Sequence, residues 1–161
     1  MAQLQFSFSQ RRSATIRTLA ILSLASRIDG TVNLTKGQQI AEFAVSFVGY
    51  DFVYGGTSPE EGFDASGLVT YVYREFGYII PRTPPAMFRS IDVYIEKASL
   101  EPGDLVFFSE NENNHINNVG MYIGNNEFVH ASRPGVGVII SRLDTEYYSK
   151  AWVGAIRVLS E

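Results

Sequence analysis

The chain of 161 residues contains no cysteine, which removes disulfides, thiolate metal sites and any thiol nucleophile at once. Histidine is nearly absent too: His115 and His130 are the only two. A histidine-based zinc site would need carboxylate help, and no HExxH-type spacing offers it. Positive charge is sparse and scattered, with 13 Lys and Arg against 17 Asp and Glu and a net charge of -4. Without a basic stripe, nucleic acid is excluded as a partner class. No apolar run approaches the ~20 residues that span a bilayer, so no transmembrane segment is expected.

What is present fits one soluble domain: 45% hydrophobic and 19% charged residues in a length typical of a single core. Residues 1–33 stand apart from residues 34–161. Arg11, Arg12 and Arg17 precede the apolar run Thr18 to Ala25, as in a short secretory signal with a basic start. The same stretch also reads as an amphipathic helix with Ile16, Leu19, Ala20 and Leu24 together.

From residue 34 the pattern becomes helical up to 48, with Thr35 and Gln38 as a capping box before Ile40, Phe43, Ala44, Phe47 and Val48. Gly55 to Pro59 reads as a loop. Asp64 caps a second helix that runs to about Phe76 and stops at Gly77, burying Leu68, Val69, Val72, Tyr73 and Phe76. Thr83-Pro84 starts a third. Strands are expected at 104–108, 119–123, 127–131, 136–140 and 152–158. Helices first and strands afterwards, without βαβ alternation, predict an α+β fold in which N-terminal helices pack on a central antiparallel sheet.

Three ordered segments carry more specific information. They are Tyr54-Gly55-Gly56-Thr57-Ser58-Pro59 running through Gly62-Phe63-Asp64-Ala65-Ser66-Gly67-Leu68-Val69, then Leu100-Glu101-Pro102-Gly103-Asp104-Leu105-Val106-Phe107-Phe108, then Asn118-Val119-Gly120-Met121-Tyr122-Ile123-Gly124 with Phe128-Val129-His130-Ala131-Ser132. Pro81-Arg82-Thr83 and Gly154-Ala155-Ile156-Arg157-Val158 fit as well. Over roughly residues 36 to 158 the chain resembles the NlpC family, papain-like cysteine peptidases that cut peptidoglycan stem peptides. The resemblance implies a minimal papain-like fold, an acyl-enzyme reaction without metal or organic cofactor, a stem peptide or similar short peptide as partner, and a place outside the cytoplasm, in the periplasm or at the cell surface.

In that pattern a Cys stands in the first helical turn after Asp64, where the helix dipole favours a thiolate, and a His on the sheet takes its proton while a third polar group orients that His. Mapped residue by residue, the resemblance puts the nucleophile position on Ala65, the base position on Asn118 and the third polar position on His130. Tyr54, Asp64 and Ser66 fall in the substrate-binding region, and Phe52 stands where the family places a Tyr. Ala has no nucleophilic atom and an amide is a very poor base, so this chain should not perform acyl transfer. Ser66 is a poor replacement, because one step along a helix turns a side chain by about 100°; a local hydroxyl bond near the helix start suits it better. His115 belongs to the polar loop after Glu110, solvated and without role.

Three readings follow from the missing nucleophile. The first is a peptide-binding domain that does not cut, supported by change at two of three catalytic positions and at Phe52. The second is an active endopeptidase silenced by a Cys→Ala change at 65. The third is an interaction module on the same fold. A peptide binder keeps an open, polar cleft around Asp64, Ser66, Asn118 and His130, whereas a module can have that cleft filled, by Phe52 or by the segment before Thr35.

Register supplies a geometric condition. Asn118 and His130 share a face only if the hairpin between them has an odd offset. A three-residue loop Gly124 to Asn126 would pair Ile123 with Glu127 and set His130 opposite Gly120, while a plain two-residue loop would separate the two side chains. A three-residue loop or a bulge is therefore predicted, with Gly124 or Asn126 at positive φ.

Overall fold

A computed structural model describes residues 33–91, 93–111 and 115–159. The basic and apolar stretch of residues 11–25 lies outside these described residues.

Helix α1 (Lys36–Val45) opens with the capping box in place: the Thr35 hydroxyl accepts from Gln38 N at 3.2 Å and Gln38 Oε1 accepts from Thr35 N at 2.8 Å. It ends at Val45, earlier than the expected 48. Beyond Val45 the chain tightens into bonds from Phe47 N to Ala44 O and from Val48 N to Val45 O, a common way to close a helix end. The segment expected to be a loop contains a two-stranded ribbon, β1 (Thr57–Ser58) with β2 (Gly62–Phe63). Helix α2 (Ala65–Glu75) begins at the Asp64 cap, with Phe76 as its C-cap and Gly77 beyond it at φ 85. Helix α3 (Pro84–Arg89) begins with its proline pair, but Thr83 makes no side-chain cap.

The second half builds one five-stranded antiparallel sheet from β3 (Leu105–Phe108), β4 (Asn118–Gly124), β5 (Glu127–Ala131), β6 (Val138–Arg142) and β7 (Trp152–Ile156) in the order β6-β5-β4-β3-β7. The α+β expectation holds. Between β6 and β7 stands helix α4 (Glu146–Ala151), capped by Thr145 accepting from Tyr148 N at 3.3 Å; the sequence pattern did not reveal it.

Strand alternation divides the core between the two faces of the sheet. Val119, Met121, Val129 and Ala131 join Ile40, Leu68, Val69, Val72 and Tyr73 in the larger cluster under α1 and α2. Val106, Phe108, Tyr122, Phe128, Leu143 and Ala155 form the smaller cluster on the other face, with Tyr148 and Trp152 packed against it.

The β4–β5 connection is a two-residue turn with a bulge. Gly124 pairs with Glu127, yet Tyr122 pairs with Phe128, so Ile123 is the extra residue. Asn125 and Asn126 take φ 53 and 60 and Gly124 takes φ 101, the left-handed conformations that such a turn requires. The Met121–Val129 pairing then sets His130 opposite Gly120, on the face that also carries Asn118. The odd offset is achieved by the bulge, not by a longer loop.

Candidate functional site

The first turn of α2 is held from its own side chains outward. Asp64 Oδ1 accepts from Gly67 N at 2.6 Å and from the Ser66 hydroxyl at 3.3 Å. Asp64 Oδ2 accepts from Gly55 N at 2.9 Å and from Arg82 at 2.7 Å. Arg82 reaches Ser66 Oγ with its other nitrogen at 2.5 Å. A carboxylate has about four lone-pair positions, so Asp64 is fully engaged. The knot joins three stretches: the loop at Gly55, the α2 start, and the chain before α3. Ser66 is buried within it, its hydroxyl in local bonds. Gly67 lets the Gly56 carbonyl lie against the helix, since any Cβ there would collide with that oxygen.

Ala65 is the first residue of α2 and presents its methyl group to a cleft of about 480 Å³. Phe52, Tyr54, Asn118, Ser132 and Arg133 line the same space, with Asp64 and Ser66. Phe52 and Tyr54 meet edge to face at 5.0 Å on one side, and Tyr54 is mostly exposed. Among the described residues, nothing fills the space between Ala65 and Asn118. His130 is fully buried and stands beneath Asn118, outside the lining. His115 is exposed and does not line this cleft.

Beneath the cleft a polar chain runs through the sheet. The Asn118 amide nitrogen donates to Glu110 Oε1 at 3.1 Å and lies 3.3 Å from His130 Nδ1. His130 Nε2 lies 3.0 Å from Ser141 Oγ and 3.3 Å from the Tyr148 hydroxyl. Glu110 fixes the direction of the whole series. An ionised carboxylate only accepts, so the amide must turn its NH₂ toward it; a flipped amide would set its oxygen against that carboxylate. His130 Nδ1 is then the acceptor, and Nε2 carries the proton that is offered to Ser141. Burial pushes the His130 pKa down to about 4, which keeps the ring neutral near pH 7. Burial likewise raises the Tyr148 phenol, against a Ser141 hydrogen bond that lowers it. The structure thus brings Asn118 and His130 into contact and sets Ala65, Asp64, Ser66 and Tyr54 around one cleft. At Ala65 the array presents a methyl group and no nucleophilic atom.

Four members escaped the sequence reading: Arg82, Glu110, Ser141 and Tyr148. Glu110 follows β3, whose Phe108 pairs with Asn118, and Ser141 lies two residues past Ile139, which pairs with His130. Both would have emerged from strand registers, which periodicity alone does not give. Tyr148 also packs in the smaller cluster, its ring centroid 4.9 Å from that of Phe128.

Comparison with known proteins now adds identity. Residues 49–157 match the profile of the NlpC/P60 family. The chain is 40% identical over 115 residues to the murein DD-endopeptidase MepH of Escherichia coli K12, covering 70% of this chain and 42% of the relative. It is 35% identical over 114 residues to a γ-D-glutamyl-L-lysine dipeptidyl-peptidase of Bacillus cereus, covering 70% of this chain and 34% of the relative. The fold is similar to the crystal structure of an NlpC/P60 family protein from Bacillus cereus, with a TM-score of 0.72, 31% identity, and coverage of 78% of this chain and 41% of that one. The chain thus spans less than half the length of these relatives. Profile, relatives and architecture agree: this chain belongs to the NlpC/P60 family.

Proposed function

We propose that this domain recognises a peptidoglycan stem peptide in the cleft over Ala65 and does not cleave it. The observation that carries the reading is the cleft itself: about 480 Å³ of open space, lined by polar groups, is retained where the helix start presents only a methyl group. An interaction module on the same fold has no need for that space. Acyl transfer has no atom to begin from. Ser66 Oγ is bound to Asp64 and Arg82, and the Asn118 amide is no base at neutral pH. In this reading Ala65, Asn118 and His130 hold the positions of nucleophile, base and third polar group, Tyr54 with Asp64 and Ser66 borders the peptide, and no metal or organic cofactor is required. The names of the relatives, a murein endopeptidase and a γ-D-glutamyl-L-lysine dipeptidyl-peptidase, support a cell-wall peptide as ligand. Such peptides lie outside the cytoplasm, and we assign the domain to that side of the membrane. No helix among the described residues is long and apolar enough to cross one.

A second reading rests on the intact first turn of α2: an endopeptidase silenced by a single Cys→Ala change at 65. Calorimetry with purified stem peptides, followed by hydrolysis assays of the protein, of Ala65→Cys and of Ala65→Cys/Asn118→His, separates the two. Peptide binding without cleavage by the unaltered chain, and cleavage by the double variant only, is the expected result. Cleavage by Ala65→Cys alone would establish the silenced peptidase. Absence of both binding and cleavage in every version would leave the interaction module.

A further inference from the structure

The cleft over Ala65 does not end at Glu110 and Asn111. Both residues also border an open groove of about 680 Å³, which runs between the chain just past β3, the end of α4 and the start of β7. A peptide seated over Ala65 leaves that larger space unused. Tyr147 lies along it and is 56% exposed. Its ring is fixed all the same: it meets Tyr148 edge to face at 4.9 Å, and its hydroxyl faces the Glu110 carboxylate. Tyr148 is in turn wedged between Phe108 and Phe128. Trp152 forms the opposite wall, held by the Lys97 ammonium 5.2 Å from its ring centroid and by the edge of Phe108. An apolar ring kept half in water at a set angle is a ready contact surface.

Charge and backbone pairing narrow the class of ligand. Lys150 is paired with Glu146 at 2.7 Å and Glu110 accepts from the Asn118 amide, so neither charged group of the groove is unpaired. An extended peptide would bind by adding to free backbone groups. Here Ser109 N donates to Ala151 O at 2.8 Å and Glu110 N donates to Asn117 Oδ1 at 2.9 Å. What the groove still offers is the Tyr147 ring, the apolar side chains of Ala151 and Val153, and the neutral amide of Asn111. A sugar ring carries the matching set: C–H faces for the electron-rich face of an aromatic ring, acetamido methyls for apolar side chains, and hydroxyls for an amide.

We propose that the groove along Tyr147 and Trp152 binds a neutral saccharide, the sugar to which the stem peptide is joined, with the Tyr147 ring as its stacking platform. The inference rests on the peptide-binding reading above and extends it to the glycan end of the same ligand. The shared border at Glu110 and Asn111 lets one molecule lie in both spaces. Nothing is transferred or cleaved.

Calorimetry on the full chain tests this with four probes: the tripeptide L-Ala-γ-D-Glu-L-Lys, the same tripeptide on its N-acetylglucosaminyl-N-acetylmuramic acid disaccharide, a sugar-free dimer of the peptide cross-linked through lysine, and chitobiose. The disaccharide should tighten binding of the tripeptide by at least about tenfold, as expected when a second contact is tethered to the first. That ratio should fall below about twofold in Tyr147→Ala and persist in Tyr147→Phe, which keeps the ring. Thermal melts establish that both variants remain folded at the assay temperature. Equal affinity for tripeptide and disaccharide-tripeptide, or a gain that Tyr147→Ala leaves intact, would overturn the saccharide groove and leave peptide binding standing. An equal gain from the sugar-free dimer would overturn the saccharide as occupant and put a second peptide there. Chitobiose binding that Tyr147→Ala abolishes, with no binding of either peptide lacking sugar, would uphold the groove and overturn the peptide reading. Failure of every probe to bind would overturn both.

Discussion

At the scale of single residues, His130 is held as a neutral, hydrogen-bonded ring. Its ring is fully buried, Nδ1 accepts from Asn118, Nε2 donates to Ser141, and desolvation holds its pKa near 4. A group whose folded pKa is depressed below the ordinary 6.5 is a neutral base that unfolding releases to pick up a proton. Its contribution to stability is therefore complete above about pH 6.5, is lost as the pH falls from there toward 4, and does not fall further below. The drop across that window is about 3 kcal/mol, from a difference of 2.5 units at 1.36 kcal/mol each. Urea titrations at pH 7 and pH 4 should show this loss, and it should be largely absent in His130→Gln, whose amide can still donate to Ser141. Asp64 allows a second test at the same scale. Replacing it with alanine removes the cap of α2 and strands Arg82, Gly55 N and Ser66 together. A loss of about 2 kcal/mol is expected by denaturant unfolding, from a cap worth about 1 and the hydrogen bonds that accompany it.

At the scale of elements, the β4–β5 hairpin decides whether a site exists. Ile123 is the one residue too many that turns His130 onto the Asn118 face, and Gly120 lets His130 lie across from it. A Cβ on Gly120 would come within 2.5 Å of the Phe128 ring and 3.2 Å of His130 Cβ. Gly120→Ala should therefore cost about 1–3 kcal/mol through overpacking. It should also perturb the His130 ring resonances in two-dimensional NMR, whereas an alanine at the open turn position Gly124 should leave them in place. The need for this odd offset was legible in the sequence, because a two-residue period makes face assignments arithmetic. The choice of bulge over longer loop was not, since Gly124-Asn125-Asn126 suits both. The capping box at Thr35 and the Asp64 cap were legible for a similar reason: each is a local bond between residues three apart. Helix α4 was not, because its six residues give less than two turns of pattern, and Tyr147-Tyr148 reads equally as strand. Strand β6 begins at Val138, two residues later than expected, because Gly135 and Gly137 take φ 78 and 79 and keep the preceding turn going. The partners that lie far apart in sequence, Arg82 with Asp64 and Glu110 with Asn118, depend on tertiary registers and could not be read from spacing.

At the scale of the whole molecule, the cleft and the anchor of the chain's end are housed in different places. The cleft lies where the start of α2 meets the start of β4, whereas the chain's end is anchored on another side. Arg157, just past β7, grips Asp104 with two bonds of 2.8 Å and also reaches Glu101 at 3.2 Å and Ser99 O at 3.1 Å. Asp104 is 2% exposed, so its charge depends on that guanidinium. The residue beside it, Gly103, accepts the Tyr73 hydroxyl of α2 through its carbonyl, which ties the same corner to the helical layer. Removing Arg157 as alanine would leave a buried carboxylate without its counter-charge, a change that costs about 3 kcal/mol at the low end of buried-pair losses because the guanidinium is partly solvated. For a domain of this size that corresponds to a fall in Tm of about 10 °C. None of these groups borders the cleft, and α2 keeps its own knot at Asp64. Arg157→Ala should therefore melt earlier in calorimetric scans and yet bind stem peptide with an unchanged Kd at 10 °C, where it remains folded. A parallel fall in Tm and affinity for Arg157→Ala would mean that the cleft draws its shape from the far corner, and that fold and recognition site are one cooperative unit.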